Sequence, residues 1–272
     1  MNMNKDQVFN VEVKRRVFVS ISFMFLIFCS LSTQATDRDV KYVLGDITKI
    51  YMSSMTYIFK EQKLINQRGG NKNKLFGTEF IENIKMTYIK KHSESFPIID
   101  HKAKEALLQA MIEVMEENRE LINDDKLDFK GIIPATFAFQ LSAKLSTKGV
   151  GLNINFTRTK ESIRNKMNMP DSWEVEVMKS MVKKPEIFYD NDALLDGKPA
   201  YRQFTPLPMV PNCLKCHGVP AQNPLNFNKN KKDWTDIDMT GFKMEGWTLD
   251  DFGGGVSISI EKSVIDKNRV VQ

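Results

Sequence analysis

The sequence is poor in the residue types that several classes of protein require. It has only 3 cysteines in 272 residues, which excludes a dense disulfide framework. Its formal net charge is only +5 at pH 7, and acidic and basic residues are interleaved, which argues against nucleic-acid binding. It contains no internal repeat and no low-complexity segment. With 42% apolar and 27% charged residues, the composition is typical of a soluble globular protein.

The N-terminal segment is typical of a targeting sequence. Basic residues at 14–16 precede an almost unbroken apolar run over residues 17–31, and small residues follow up to Ala35. This order predicts a secretory signal peptide over residues 1–35, and therefore a periplasmic protein. The run is shorter than the roughly 20 apolar residues of a membrane-spanning helix, although an uncleaved anchor remains an alternative. We expect residues 36–272 to form one domain with a helical N-terminal extension.

Apolar residues at helical spacing predict that the first half of the mature chain is mostly helical. Pro134 is suited to a first helical turn, and Asp171 or Ser172 is suited to capping a later helix. The predicted helices span residues 37–67, 76–92, 101–122, 134–148 and 171–181.

Shorter segments with alternating polarity predict strands in the second half. Asp196 and Gly197 predict a turn between two of these strands. The predicted strands span residues 150–157, 187–189, 200–207, 240–247 and 254–260. Long helices followed by strands, with one helix between them, indicate an α+β fold.

One short segment combines residues with a specific chemistry. Cys213-Leu-Lys-Cys216-His217 has the C-x-x-C-H spacing of c-type haem attachment. Each thiol can bond one vinyl group of the porphyrin, and the adjacent imidazole can bind the iron. The predicted signal peptide agrees, because c-type haem is attached outside the cytoplasm. We therefore predict one covalent haem c, held by Cys213 and Cys216, with His217 as an axial iron ligand.

Three other interpretations of the cysteine pair were weighed. A thioredoxin-like pair normally opens a helix after a strand, whereas the prolines and glycine around this motif favour a loop. A structural zinc site needs four ligands, and the only other histidines, His92 and His101, are distant in sequence. A disulfide between Cys213 and Cys216 would close a very tight, strained loop. Haem attachment is the favoured interpretation.

Three ordered blocks of sequence resemble a known family. They are Lys-Pro-Ala-Tyr-Arg-Gln-Phe-Thr-Pro-Leu at 198–207, followed by the motif and Gly218; Arg-Asn-Lys-Met-Asn-Met-Pro-Asp-Ser-Trp-Glu at 164–174; and the glycine-rich stretch at 246–260. The chain resembles the c-type haem family of periplasmic sensor domains, which are often fused to histidine kinases or methyl-accepting transducers. Lys166 departs from the proline of the family pattern.

The resemblance implies a PAS-like antiparallel sheet, with haem attached in a loop and N-terminal helices packed alongside. Some members use a cysteine of an upstream helix as the second axial ligand, but this chain has none between Cys29 and Cys213. The sixth position is therefore vacant, bound by water or filled by another residue, for which His101, His92 and several methionines are candidates by their chemistry. The alternative is that both histidines are surface residues near helix ends.

Further residues receive alternative interpretations. Arg164 and Arg202 can bind the haem propionates, since a guanidinium fork suits a carboxylate, or they can form ion pairs within the protein. Trp173 and Phe204 can line an apolar haem pocket, although ordinary core packing is favoured. We expect Asn165 and Asn168 to fix the turn that precedes Trp173.

Two functions follow from these observations. The first is a haem-based redox or gas sensor, which is what the resemblance implies and which requires a membrane signalling protein in another chain. The alternative is a periplasmic electron-transfer cytochrome c, which requires a redox partner. An enzyme is not expected, because the sequence shows no paired distal acid–base residues for peroxidase chemistry. No nucleic-acid partner is expected.

Overall fold

The computed structural model describes residues 37–181 and 184–267. The predicted signal peptide over residues 1–35 lies outside this part of the chain. Among the helices described here, none is long and apolar enough to cross a membrane.

Six α-helices make up the first half of the described chain, with Pro134 in the first turn of the last. They are α1 (Asp37–Lys60), α2 (Gln62–Asn66), α3 (Gly77–His92), α4 (Lys102–Glu117), α5 (Arg119–Asn123) and α6 (Pro134–Thr147). The predicted helix over 101–122 is broken at Asn118, whose side-chain amide donates to the Val114 carbonyl at 2.7 Å. The predicted helix over 37–67 is similarly divided into α1 and α2.

A four-stranded antiparallel sheet forms the second half. Its strands are β1 (Leu152–Thr157), β2 (Phe188–Leu195), β3 (Lys198–Pro208) and β4 (Phe252–Glu261). Their spatial order is β1-β4-β3-β2, so β4 lies between the first and third strands. Three further α-helices are α7 (Ser172–Met181), α8 (Leu214–His217) and α9 (Lys262–Lys267).

The helices pack against the sheet through apolar faces. α1 contacts β3 and β4, and α6 contacts β1. Along α1, Val40, Leu44, Ile47 and Ile58 recur on one face and are fully or almost fully buried. The predicted α+β fold, with N-terminal helices packed on an antiparallel sheet, is confirmed.

The turn between β2 and β3 has the chemistry that the sequence suggested. Asp196 and Gly197 both have positive φ values, 50° and 79°, as a two-residue hairpin turn requires. The strand before it is longer than the predicted 187–189, because it continues through a bulge between Asp190 and Ala193. Polar residues at 190–192 hid that extension, since they are uncommon in strands.

The chain between β3 and β4, residues 209–251, is an insertion of short turns. The strand predicted over 240–247 is wrong, because the Asp238 carboxylate accepts hydrogen bonds from the backbone N–H groups of Thr240 and Phe242 and bends the chain. Only an isolated bridge between Ile237 and Lys243 forms there. This insertion contains the C-x-x-C-H motif.

Candidate functional site

The C-x-x-C-H motif lies at the start of the insertion, on a single helical turn. The His217 N–H donates to the Cys213 carbonyl at 2.9 Å, and the Cys213 N–H donates to the Val210 carbonyl at 2.8 Å. The loop expected from the flanking prolines is therefore replaced at the motif itself by α8. Cys213 and Cys216 are free thiols, separated by about one turn and so on the same side of it. Burial raises the pKa of the Cys216 thiol to about 11.

The imidazole of His217 is fixed by its neighbours in the second half of the insertion. Its Nδ1 lies 2.9 Å from Oε2 of Glu245. The Trp247 N–H donates to the His217 carbonyl at 2.9 Å, and the Gly246 N–H donates to the Gly218 carbonyl at 3.0 Å. These bonds join the motif to residues 245–247 through both backbone and side chain.

Glu245 is a carboxylate held between cationic groups. Arg164 binds it with two hydrogen bonds, Nε to Oε1 and Nη2 to Oε2, each 2.7 Å long. Burial opposes its ionisation, but the hydrogen bonds with His217 and Arg164 and the positive charge of Arg164 lower the pKa of Glu245 to about 2. Because Glu245 can then only accept, His217 carries a proton on Nδ1 and donates it to this hydrogen bond.

Arg164 also connects the motif to the rest of the insertion. Its Nη1 donates to the Asp238 carboxylate at 2.6 Å, and Nη2 reaches the carbonyl oxygens of Cys216 and Lys243 at 3.1 and 3.2 Å. Every guanidinium nitrogen therefore has a protein partner. The geometry favours the ion-pair interpretation of Arg164 over the predicted propionate contact.

Arg158, which follows β1, lies beside the motif. It is only 8% exposed, and its guanidinium carbon lies 3.8 Å from the centre of the Trp247 ring. Its Nη1 lies 3.4 Å from Nδ1 of His217 and 3.9 Å from Oε1 of Glu245. Its Nε and Nη2 are buried without a hydrogen-bond partner. Burial lowers the pKa of Arg158 to about 10, which leaves it cationic at neutral pH.

A cavity of about 340 Å³ opens beside Trp247 and next to β4. Its lining combines polar and apolar residues: Thr159, Ser162, Trp247, Asp251, Phe252 and Gly254. Gly254 has a φ of 98°, and a Cβ there would lie 2.6 Å from Cγ of Arg158. Glycine is therefore required where β4 passes the buried arginine.

Comparison with known proteins identifies the family. The model of the Tll0287-like family matches residues 33–261, which is most of the chain. The chain belongs to the Tll0287-like family. A solved structure, titled as that of the cyanobacterial haem protein Tll0287, is similar to this chain at 13% identity and a TM-score of 0.40. That match covers 84% of this chain and 97% of the other. No curated protein matches.

The family resemblance drawn from the three sequence blocks is thereby confirmed. In this Tll0287-like chain, the block at 164–174 contains Arg164 of the site and the start of α7. There, Asp171 and Glu174 form a capping box, since each side chain accepts from the other residue's backbone N–H at 2.8 and 2.9 Å. Asn165 fixes the preceding turn by accepting from the Met167 N–H at 3.0 Å, as we expected.

Arg202, the second predicted propionate ligand, lies in the sheet of this Tll0287-like chain. It is 2% exposed, and its Nη1 lies 2.7 Å from the Asp171 carboxylate. Its Nη2 lies 3.4 Å from Glu174 and 3.3 Å from the Ser257 hydroxyl. The guanidinium also lies over the Trp173 ring, 4.1 Å from its centre. Its contacts are those of an internal ion pair, which was the alternative to propionate binding.

Core packing accounts for the aromatic residues proposed for a pocket. Phe204 is fully buried in a cluster with Val177, Met178 and Met181 of α7. Trp173 packs against the same cluster and donates from its indole nitrogen to Asp190 at 2.7 Å. These contacts match the favoured alternative for both residues.

The structure does not bring His101 to His217. His101 caps α4, and its Nδ1 accepts from the Ala103 N–H at 3.1 Å. In the first turn of α4, Lys104 binds Asp46 of α1 at 2.5 Å. Lys215 of the motif instead lies over Phe59 of α1, 5.7 Å from the ring centre. Along α1 these two points are separated by roughly 20 Å.

His92 ends α3 and lies against the ring of Tyr88, with 4.7 Å between the ring centres. Its Nε2 is buried without a hydrogen-bond partner, and burial lowers the pKa of its imidazole. Within residues 37–181 and 184–267, no group of three or more His, Cys, Asp or Glu side chains is placed to hold a metal ion.

Arg158 and Glu245 are the site residues that the sequence interpretation missed. They lie 59 and 28 residues from His217, so spacing within the motif could not reveal them. A weak signal exists for Glu245, because it directly precedes the glycine-rich block that resembles the family.

Proposed function

We propose that the protein is a periplasmic monohaem c-type cytochrome that acts as a haem-based redox or gas sensor. The observation that supports haem attachment most directly is the single helical turn that presents two free thiols beside His217. In addition, the chain belongs to the Tll0287-like family, and Tll0287 itself is titled a haem protein.

The chemistry of the described residues fits haem c. Cys213 and Cys216 offer thiols for two thioether bonds. The hydrogen bond from Nδ1 of His217 to Glu245 leaves Nε2 as the lone-pair nitrogen that can bind iron. The unpartnered Nε and Nη2 of Arg158 offer the buried donors that a porphyrin carboxylate would accept from.

The residues around the motif have separable roles in this proposal. Bound haem supplies a one-electron iron couple and, when a coordination position is open, a binding site for a small gas molecule. Arg158 would bind a porphyrin carboxylate, and Trp247 covers one side of its guanidinium. Arg164 holds the motif and residues 238–245 together, so that His217 keeps its orientation.

A sensor needs a connection from the site to an element that a partner can recognise. Lys215 of the motif lies over Phe59 near the end of α1, so a change at the motif can reach this helix. We propose that a membrane signalling protein in another chain responds to this helix. The protein itself would bind ligand or change redox state without catalysing a reaction.

Electron transfer is the alternative function, and two observations favour it. The His217 side chain is 24% exposed, so a redox partner could approach the site closely. The exposed lysines at 229–232 would suit an acidic partner surface.

Haem attachment is tested on protein matured in a periplasm. We expect covalent haem to persist after denaturation in the wild type and to be absent when Cys213→Ala and Cys216→Ala are combined. His217→Ala should lose the native haem spectrum, whereas His92→Ala should keep it. Covalent haem in the double cysteine variant, or a wild type without haem bands, would refute the proposal.

Spectra with carbon monoxide test whether the proposed sensor can bind a gas. A ferrous high-spin spectrum that shifts on adding carbon monoxide indicates an open or displaceable iron position and supports gas sensing. A low-spin spectrum that carbon monoxide leaves unchanged indicates two strong axial ligands. That result would refute gas sensing and restrict the protein to electron transfer or redox sensing.

A further inference from the structure

We propose that Glu245 is the positioning residue that holds His217 in one tautomer and makes it a more electron-donating iron ligand. The inference rests on the proposed haem attachment and deepens it, because it assigns control of the iron's reduction potential to one carboxylate. Neither the motif nor the family match identifies this residue.

The hydrogen bond between Glu245 and His217 is held in place by the surrounding side chains. Glu245 uses Oε2 for Nδ1 of His217 at 2.9 Å while Arg164 binds both of its oxygens at 2.7 Å. The fork of Arg164 leaves the carboxylate little freedom to rotate. Arg164 is itself anchored by Asp238 and the Cys216 carbonyl.

The two arginines beside Glu245 determine whether the shared proton stays on His217 or moves to the carboxylate. Arg164 and, at 3.9 Å, Arg158 both stabilise negative charge on Glu245. The proton therefore stays on Nδ1, and the imidazole gains electron density through a strong hydrogen bond without losing the proton. Because Nδ1 carries this proton, it has no lone pair to accept a hydrogen bond from Nη1 of Arg158, which lies 3.4 Å away. Arg158 therefore does not favour the other tautomer of His217.

The consequence for iron follows from ligand basicity. A carboxylate that accepts from a metal-bound histidine raises the basicity of that ligand. A more basic nitrogen favours ferric over ferrous iron, which lowers the reduction potential. Changing such a partner commonly alters metal affinity by about 10- to 100-fold.

The decisive variant is Glu245→Gln, which keeps an acceptor near Nδ1 but removes the charge. We expect the ratio of ferric to ferrous affinity to fall about tenfold, which raises the midpoint potential by about 59 mV for a one-electron couple. The iron–histidine stretching frequency, measured on the ferrous protein by resonance Raman spectroscopy, should fall with it. Glu245→Asp keeps the charge but shortens the reach, and it should also raise the potential.

Asp236→Asn is the matched control, since it removes a nearby carboxylate that pairs with Lys243. A potential that is unchanged in Glu245→Gln, or that rises equally in Asp236→Asn, would overturn the inference. If Glu245→Gln does not mature, an unchanged potential in Glu245→Asp overturns it instead. A wild type without covalent haem would refute the proposed function, which is a distinct outcome from a loaded protein whose potential ignores Glu245.

Discussion

Two buried arginines of this protein lie in similar surroundings but have different partners. Arg202 and Arg158 are 2% and 8% exposed, and each guanidinium lies over a tryptophan ring. Arg202 has the Asp171 carboxylate at 2.7 Å and Glu174 at 3.4 Å. Arg158 has Glu245 at 3.9 Å, and that carboxylate already binds Arg164 and His217.

This difference in partners indicates that one arginine contributes to stability and the other to binding. A buried charge is tolerated when it is paired and hydrogen-bonded, as Arg202 is by the residues that cap α7. Arg202 leaves only Nε without a hydrogen-bond partner, whereas Arg158 leaves both Nε and Nη2 without one, beside the C-x-x-C-H motif. We infer that Arg202 stabilises the fold and that Arg158 has hydrogen-bond donors available for an anion.

The largest effect should come from Arg202→Met. It leaves the buried Glu174 and the Asp171 carboxylate without their cation, so we expect a loss of about 3–5 kcal/mol in the free energy of unfolding. Arg158→Met in the haem-free protein should be nearly neutral or stabilising, because it removes a buried charge that lacks a close counterion. Urea unfolding of both variants at pH 7 measures this, and equal losses would end the distinction between the two arginines.

Gly254→Ala should be next in size. Its Cβ would lie 2.2 Å from the Thr157 carbonyl oxygen and 2.6 Å from Cγ of Arg158, at a φ of 98°. Overpacking and the left-handed backbone together should lower the free energy of unfolding by about 3 kcal/mol.

Gly241→Ala is the control for that backbone strain. Its φ is 83°, and no atom outside its neighbours lies within 4 Å of the added carbon. We expect a loss of about 1 kcal/mol by urea unfolding. If both alanine variants lose the same amount, then the close approach of Gly254 to Thr157 and Arg158 contributes nothing to the loss.

Binding of free haem tests the anion site. In a background that combines Cys213→Ala and Cys216→Ala, Arg158→Met should weaken ferric haem binding by about 10-fold or more, as expected for a hydrogen bond to a charged group. Titration with the dimethyl ester of the same porphyrin, whose carboxylates are masked, should show no such difference. Arg68→Met, which removes an exposed ion pair, is the control. A loss of similar size with the ester would exclude a carboxylate contact.

The smallest effect should be a pH dependence at Glu174. Burial, followed by the Asp171 charge, raises the pKa of Glu174 above its ordinary value of 4.5 in spite of Arg202. Its contribution to stability is therefore fully present below about pH 4.5 and is lost as the pH rises through the folded-state pKa. As the pH is lowered from 7 to 4.5, the free energy of unfolding of the wild type should rise relative to that of Glu174→Gln, as measured by urea unfolding. An opposite slope would show that Arg202 outweighs burial.

Local patterns predicted most of the fold. The helix over 171–181 was placed within one residue, because its capping box lies within four consecutive residues of sequence. The strand predicted over 240–247 failed because hydrogen bonds from the Asp238 side chain replace a ladder, and hydropathy contains no signal for them.

From sequence, the candidate site can be assembled only where its residues are neighbours along the chain. Cys213, Cys216 and His217 followed from the motif, whereas Arg158 and Glu245 meet it through the tertiary fold. The sequence makes Arg164 and Arg202 candidates for propionate binding only because a guanidinium suits a carboxylate. Residue type alone does not show whether the carboxylate belongs to a cofactor or to the protein.

The insertion over residues 209–251 leaves and rejoins the sheet at adjacent points. Met209 accepts from the Asp250 N–H at 3.0 Å and donates to the Asp251 carbonyl at 2.8 Å, next to the pairing of Pro208 with Phe252. Hydrogen bonds already hold its two ends together, and the entropic cost of closing a loop grows only slowly with loop length. A change in the length of the insertion therefore changes the free energy of folding little. The insertion could therefore be lengthened, shortened or replaced in homologous or designed chains while the register of β3 and β4 stays the same.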